Sequence, residues 1–286
     1  MAMIAIGVIG ISLSSIFVRY AQAPSAVTAA WRLLWTVVLM TPMVLGNKAV
    51  RREFTRASKG SIALSALSGL FLAIHFVLWF ESLAHTTVAS STTIVCTEVI
   101  WVALGFCLFL RGKLSWKAVA AIAVTLLGSV AIAWSDSGSK GNHLYGDILA
   151  LLAAIAVAVY TLLGRVVQQK VSTTVYTYSL YWACLVCLVV TCLWQGESLF
   201  AYGIRPVIVG LLLAVFSTIL GHSIFSRCLR HFSPAFVSAS KLCEPVVAAV
   251  LAGFLFGEIP AALQIAGGVL ILGGVLYYSR LENKHT

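Results

Sequence analysis

Charge is what this 286-residue chain has least of: Asp, Glu, Lys and Arg make up 10% of it, where a soluble domain carries about 25%. Nineteen basic and nine acidic side chains cannot cover the surface of a 30.6 kDa globule, so a water-soluble fold is excluded. Most of the exterior must face lipid. The sequence also lacks a nucleotide-phosphate loop, a metal-binding motif and a sizeable polar domain, which argues against ATP-driven work and metal chemistry. No cofactor is expected. The seven cysteines are odd in number, mostly inside apolar runs and never spaced as ligands, so they read as packing thiols. A net charge of +10 would suit nucleic acid only if Lys and Arg shared one solvated face. Here they fall between apolar runs, and no nucleic-acid partner is expected.

What the chain does have is 60% hydrophobic residues in long continuous runs. A spanning helix needs about 20 mainly apolar residues, and a spanning strand would need short alternating segments instead. The runs predict an all-α integral membrane fold with ten transmembrane helices, near 2–21, 25–46, 61–83, 88–110, 115–134, 146–167, 174–195, 205–227, 234–256 and 260–280. The first run carries no convincing cleavage site, so it reads as a span rather than a removable leader. Cations gather in alternate connections, at 48–59, 111–117, 165–170, 227–230 and 280–284, against only Arg19, Lys140 and Arg205 on the other side. Cytoplasmic loops retain positive charge, so both termini are predicted to be cytoplasmic.

Shifted by 146 residues, the chain falls on itself: Arg19 on Arg165, His85 on His231 and Glu98 on Glu244, with many apolar matches between. In a chain this poor in charge, coincident Arg, His and Glu point to duplication. The predicted organisation is a five-helix repeat over 1–135, a polar connecting loop over 136–145 and a second five-helix repeat over 146–286. An odd number of spans inverts the second repeat, the arrangement that lets two halves open a central site to each side in turn.

Ionisable groups inside spans are expensive and are functional candidates by default. His75 and Glu98 lie about 11 residues either side of the turn between spans three and four, roughly 16 Å deep and close to mid-bilayer. His222 and Glu244 lie equally far from the turn near Ser233. Both sets are expected to converge on one chamber. Lys241 is three residues before Glu244, and Trp101 three residues after Glu98, so each pair would share a helix face. Trp79, Tyr160, Tyr178, Tyr181 and Trp182 offer aromatic walls, three of them with hydroxyl tips.

Each group also has a purely structural reading. The carboxyls could be protonated and bonded to neighbouring helices, Lys241 and Glu244 could be a static ion pair, and the histidines could be interhelical donors. Arg32 is shallower and reads best as a side chain snorkelling to the interface. Trp116, Trp134, Trp194, Tyr277 and Tyr278 fit an interfacial belt. Gly253 and Gly257, with Gly267, Gly268, Gly273 and Gly274, suggest close helix packing or a homodimer.

The segments ESLAHTTVASSTTIVCTEVIW (81–101) and RCLRHFSPAFVSASKLCEPVVAAVLAGFLFGEIPAALQIAGGVLILGGV (227–275) resemble the drug/metabolite transporter superfamily, EamA type. Glu244-Pro245, Gly257-Glu258 and the glycine-rich last span carry the likeness, which extends over nearly the whole chain. Pro245 can kink its span. The first half departs from the pattern, with Val99 in place of Pro245 and Arg111-Gly112-Lys113 near the Gly-Glu position. The resemblance implies ten helices, cytoplasmic termini in a bacterial inner membrane, and a cavity lined by spans one, three, four, six, eight and nine.

It further implies a secondary transporter, and the expected function is export of a small polar or amphipathic metabolite such as an amino acid or derivative. Protons or a counter-substrate would drive it. Substrate-binding candidates are Glu98, Glu244, Lys241, His75, His222, Trp79, Trp101, Tyr160 and Tyr178. The runner-up is a flippase that passes a lipid-linked headgroup through the same chamber. An intramembrane enzyme has His/Glu pairs in its favour but no nucleophile or metal set, so catalysis is not expected.

Overall fold

The computed structural model describes residues 2–18, 20–86, 88–136, 144–244, 246–247, 250–251 and 261–282. Every regular element among them is helical: α1 (Ala2–Val18), α2 (Ser25–Gly46), α3 (Lys48–Arg56), α4 (Lys59–His85), α5 (Val88–Cys96), α6 (Glu98–Phe109) and α7 (Trp116–Asp136) in the first half. The second half holds α8 (Leu144–Val167), α9 (Thr173–Trp194), α10 (Arg205–Leu212), a π-helical segment (Leu213–His222), α11 (Ser223–Cys228), α12 (Pro234–Lys241) and α13 (Ala262–Glu282).

Among the described residues, six helices are long and apolar enough to cross a bilayer: Ser25–Gly46, Lys59–His85, Leu144–Val167, Thr173–Trp194, Arg205–Cys228 and Ala262–Leu281. Three further apolar helices are shorter, Ala2–Val18, Thr93–Phe109 and Trp116–Ala131. Pro245, Gly253, Gly257, Glu258, Arg19 and most of the connecting loop lie outside the described residues.

Three local features differ from the sequence expectation. The basic stretch after span two is the surface helix α3, begun where the Asn47 side chain accepts from the amides of Ala49 and Val50. Span four is broken at Thr97, where the backbone amides of Thr97 and Ile100 bond three residues back and the Thr97 hydroxyl donates to Ile94 O at 2.6 Å. A side chain competing for main-chain acceptors, together with tightened turns, interrupts the regular ladder. In span nine α12 stops at Lys241, and the amides of Leu242 and Cys243 likewise bond three residues back.

The chain forms two compact units, Met1–Val77 with Val159–Arg230, and Leu78–Ala158 with His231–Thr286. This division differs from the two sequence halves, since each unit takes chain from both.

In the first unit α1 lies against the π-helical segment and α2 against α9 and α10. The approach of α1 is so close that a Cβ on Gly10 would stand 2.6 Å from Phe216 O. In the second unit α7 and α13 are the most extensively packed pair. A Cβ on Gly128 would come within 2.6 Å of Gly267 O, and one on Gly274 would collide with the Thr125 hydroxyl. Those glycines of the last helix are therefore used within the unit, as small-residue packing between membrane helices requires. Gly273, by contrast, faces open space. Tyr278 is also a correction to the interfacial belt: it is buried, with its ring 5.4 Å from that of Phe236.

Gly128→Val should lower the melting midpoint of the detergent-solubilised protein, since overpacking costs about 1–3 kcal/mol, while Gly273→Val should leave it in place. An unshifted midpoint for Gly128→Val would mean that α7 and α13 do not depend on this backbone approach.

Candidate functional site

The charged candidates of the second unit sit at helix ends. The break at Thr97 makes Glu98 the first residue of α6, and the stop after Lys241 makes the lysine the last residue of α12. A carboxylate at a helix N-terminus and an ammonium at a C-terminus are each favoured by the helix dipole. The two helices pack together, and Lys241 Nζ donates to Glu98 Oε1 at 2.9 Å with the side chains only 14% and 8% exposed. Lys241 was expected to share a helix face with Glu244. A turn at Leu242–Cys243 lies between the two, and the lysine bonds the acid of the other broken span, Glu98.

Cys96, immediately before the first break, lies within electrostatic reach of Glu98, Glu244 and Lys241 alike. Cys96 and Glu244 thus lie in the electrostatic neighbourhood of the Glu98–Lys241 pair. One turn along α6, the Trp101 indole N–H is buried and has no hydrogen-bond acceptor among the described residues. Trp79 is buried too, with its ring 5.3 Å from that of Phe80. The Glu98–Lys241 pair offers a cation and a carboxyl, with the Trp101 indole donor one turn further along α6. That is the set of groups needed to hold a small molecule bearing both charges and an apolar part.

The first unit holds the imidazoles. The Phe76 ring lies 5.4 Å from that of His75 and 5.7 Å from that of His222, edge to face with the latter. Arg32 completes the layer: it is 1% exposed, its Nε donates to Thr218 Oγ1 at 2.7 Å, and its guanidinium carbon stands 4.5 Å from the Phe76 ring centre. The expected snorkelling does not occur, because an aromatic face and a hydroxyl receive the charge inside the protein. Thr218 belongs to the π-helical segment and its hydroxyl also donates to Leu213 O. His222 closes the same segment. Such wide turns are often found where a helix serves a functional site.

Tyr160 stands beside this layer, 6.3 Å from His222 between ring centres, with its hydroxyl bonded to Ser226 Oγ at 3.0 Å. Tyr181 bonds Ser223 Oγ at 2.9 Å, and Tyr176 bonds Ser68 Oγ at 2.7 Å. Tyr178 is engaged elsewhere: its hydroxyl meets Thr41 Oγ1 at 2.9 Å and its ring lies edge to face with Phe54 and Trp182.

Sequence reasoning overlooked Cys96, Phe76, Thr218 and the role of Arg32. Thr97 makes no cap on α6, since its hydroxyl donates back to Ile94 O, so the break carried no capping signal in the sequence. Nothing marks Phe76 either, an ordinary apolar residue in α4.

Comparisons with known proteins agree with this architecture. The pseudopaline exporter of Pseudomonas aeruginosa is 26% identical over 236 residues, 82% of this chain and 80% of its own. The S-adenosylmethionine/S-adenosylhomocysteine transporter of Chlamydia trachomatis is 27% identical over 278 residues, covering 90% of this chain and 81% of its own. A probable amino-acid metabolite efflux pump of Salmonella typhimurium is 26% identical over 172 residues, 57% of this chain and 58% of its own. One solved crystal structure shares the fold with a TM-score of 0.82 at 15% identity, covering 99% of this chain and 97% of its own. The sequence profile of the EamA-like transporter family matches residues 1–134 and 144–280, and the chain, a multi-pass membrane protein, belongs to that family.

Proposed function

We propose that this protein exports a zwitterionic amino-acid derivative, and that the Glu98–Lys241 pair opens to receive it. The observation that carries this reading is the buried 2.9 Å ion pair at the ends of two interrupted helices. A buried pair contributes little net stability compared with apolar residues of the same volume, so its retention suits a role beyond packing. A substrate ammonium can take the place of Lys241 at Glu98, with Glu244 as a second acceptor. The substrate carboxylate then takes the place of Glu98 at Lys241. The exchange conserves charge at every stage, which keeps the barrier to binding and release low.

The names of the relatives support the substrate class. Amino-acid metabolites, a terminal-alkyne amino acid and S-adenosylmethionine stand among the cargoes their names give. The Trp101 indole donor and the Trp79 ring suit the remainder of such a molecule. His75, His222 and Tyr160 are assigned to the protonation changes that couple transport to a proton gradient or to a counter-substrate.

In this reading the repeats 1–135 and 146–286 insert in opposite senses as ten spans, and their rocking alternates access. The positive charge of alternate loops supports cytoplasmic termini in a bacterial inner membrane. The membership in a transporter family and the exporter names of the relatives support a carrier rather than an enzyme.

Two measurements test the assignment. Lys241→Gln should destabilise the protein by about 3–5 kcal/mol, because it leaves the buried Glu98 without its cation, and Glu98→Gln should cost less, because Glu244 remains as a second acceptor for Lys241. The double variant should recover part of the stability lost in Lys241→Gln, since Glu98 no longer needs a cation. It should nevertheless lose roughly 100-fold in transport of radiolabelled amino acids or S-adenosylmethionine in proteoliposomes, the scale of losing a buried charge contact. Transport at the native rate by the double variant would reduce the pair to a structural strut. In the second measurement, alkylation of Cys96, isolated by subtracting the signal of Cys96→Ser, should slow when a transported amino acid is bound. An unchanged rate at saturating substrate would place the substrate away from this cluster.

A further inference from the structure

The nine-residue helix α3, Lys48–Arg56, has two contrasting faces. Val50, Glu53 and Phe54 are half-buried, whereas Lys48, Arg51, Arg52 and Arg56 are exposed. A helix this short is not stable alone in water, so its packing face must hold it. The Phe54 ring meets Tyr178 of α9 edge to face at 5.9 Å, and a Glu53 carboxylate oxygen accepts from the Ser172 backbone N–H, at the residue that caps α9. The carboxylate thereby meets the positive end of α9. Its inward turn leaves every charge on the outer face of α3 positive.

Two more exposed cations belong to the same corner. Lys59 opens α4, three residues beyond α3, and Lys170 lies in the short connection that ends at Ser172. The last turns of α2, just before α3, expose Met43 and Leu45 at 70% and 57%. These large apolar side chains need hydrocarbon beside them, so the bilayer edge reaches to within a few residues of the basic face. A cationic surface adjoining lipid-facing residues fits one partner by charge and position.

We propose that the outer face of α3, with Lys59 and Lys170, is a docking surface for anionic phospholipid headgroups. Arginine guanidinium groups bind phosphate by paired hydrogen bonds, and the anionic leaflet offsets the mutual repulsion of the cations. The anchored helix then fixes the corner where α2 and α9 meet it, so that the lipid acts on the first unit directly.

The test uses the full-length protein in detergent, titrated with phosphatidylglycerol and with phosphatidylcholine of the same chain length, bound lipid being read by native mass spectrometry. Phosphatidylglycerol should bind at least about tenfold more tightly, and the preference should weaken as salt shortens the Debye length. The triple variant Arg51→Gln, Arg52→Gln, Arg56→Gln should abolish the preference, and Lys113→Gln with Lys117→Gln, exposed cations of the second unit, should not. Should the triple variant fail to fold, Lys170→Gln and Arg51→Gln singly should give smaller, graded losses. A native protein without lipid preference, basic-face variants that keep it, or the control pair losing as much would each overturn the proposal. So would displacement of the lipid by inorganic phosphate at equal concentration, which would assign the face to soluble anions.

Discussion

An ionised side chain in an apolar surround has to find its complement within the chain, because no water is at hand to solvate it. Lys241 and Glu98 answer each other at 2.9 Å, and much of the second unit is arranged around that need. The breaks at Thr97 and at Leu242–Cys243 turn two would-be continuous helices into helix ends. Helix ends carry the partial charges that favour a carboxylate at one and an ammonium at the other. An unbroken pair of spans would offer neither, and would leave both side chains on the flank of a helix whose dipole does nothing for them. Interrupted helices and buried charge are therefore one feature seen from two sides.

The first unit meets the same constraint by other means. Arg32 is received by the face of Phe76 and the hydroxyl of Thr218, and the tyrosines are tied to serines, with Tyr160 on Ser226, Tyr181 on Ser223 and Tyr176 on Ser68. Neutral hydroxyl networks of this kind stiffen a core without storing an exchangeable charge. A direct ion pair is different, since either member can be replaced by a ligand group of the same sign. That contrast is why the proposed substrate site is drawn at the Glu98–Lys241 pair and not at the tyrosine network.

The membrane character and the approximate positions of the long apolar helices were legible in the sequence, because each depends on composition summed over about 20 residues. Glu98, Glu244 and Lys241 could be picked out for the same kind of reason: a charge in an apolar run is conspicuous wherever it points. Partner choice was not legible. Lys241 looked toward Glu244, its neighbour along the chain, yet it bonds a residue 143 positions away. The arginine expected at the interface is inside, and Tyr278 has left the aromatic belt for Phe236.

The sequence by itself determined that this chain must live in lipid, that it is helical, and that its few ionisable groups inside spans are Arg32 in span two, His75 and Glu98 in spans three and four, and His222, Lys241 and Glu244 in spans eight and nine. Solvent preference and hydrogen-bond closure are local properties, fixed residue by residue. Only the tertiary structure decided where helices break and which polar groups meet. A break depends on a one-residue contest between a threonine hydroxyl and the backbone ladder, and a buried pair depends on distances between helices remote in sequence. Neither quantity is written in hydropathy or spacing, and both emerge when packing brings α6 to α12 and Arg32 to Phe76.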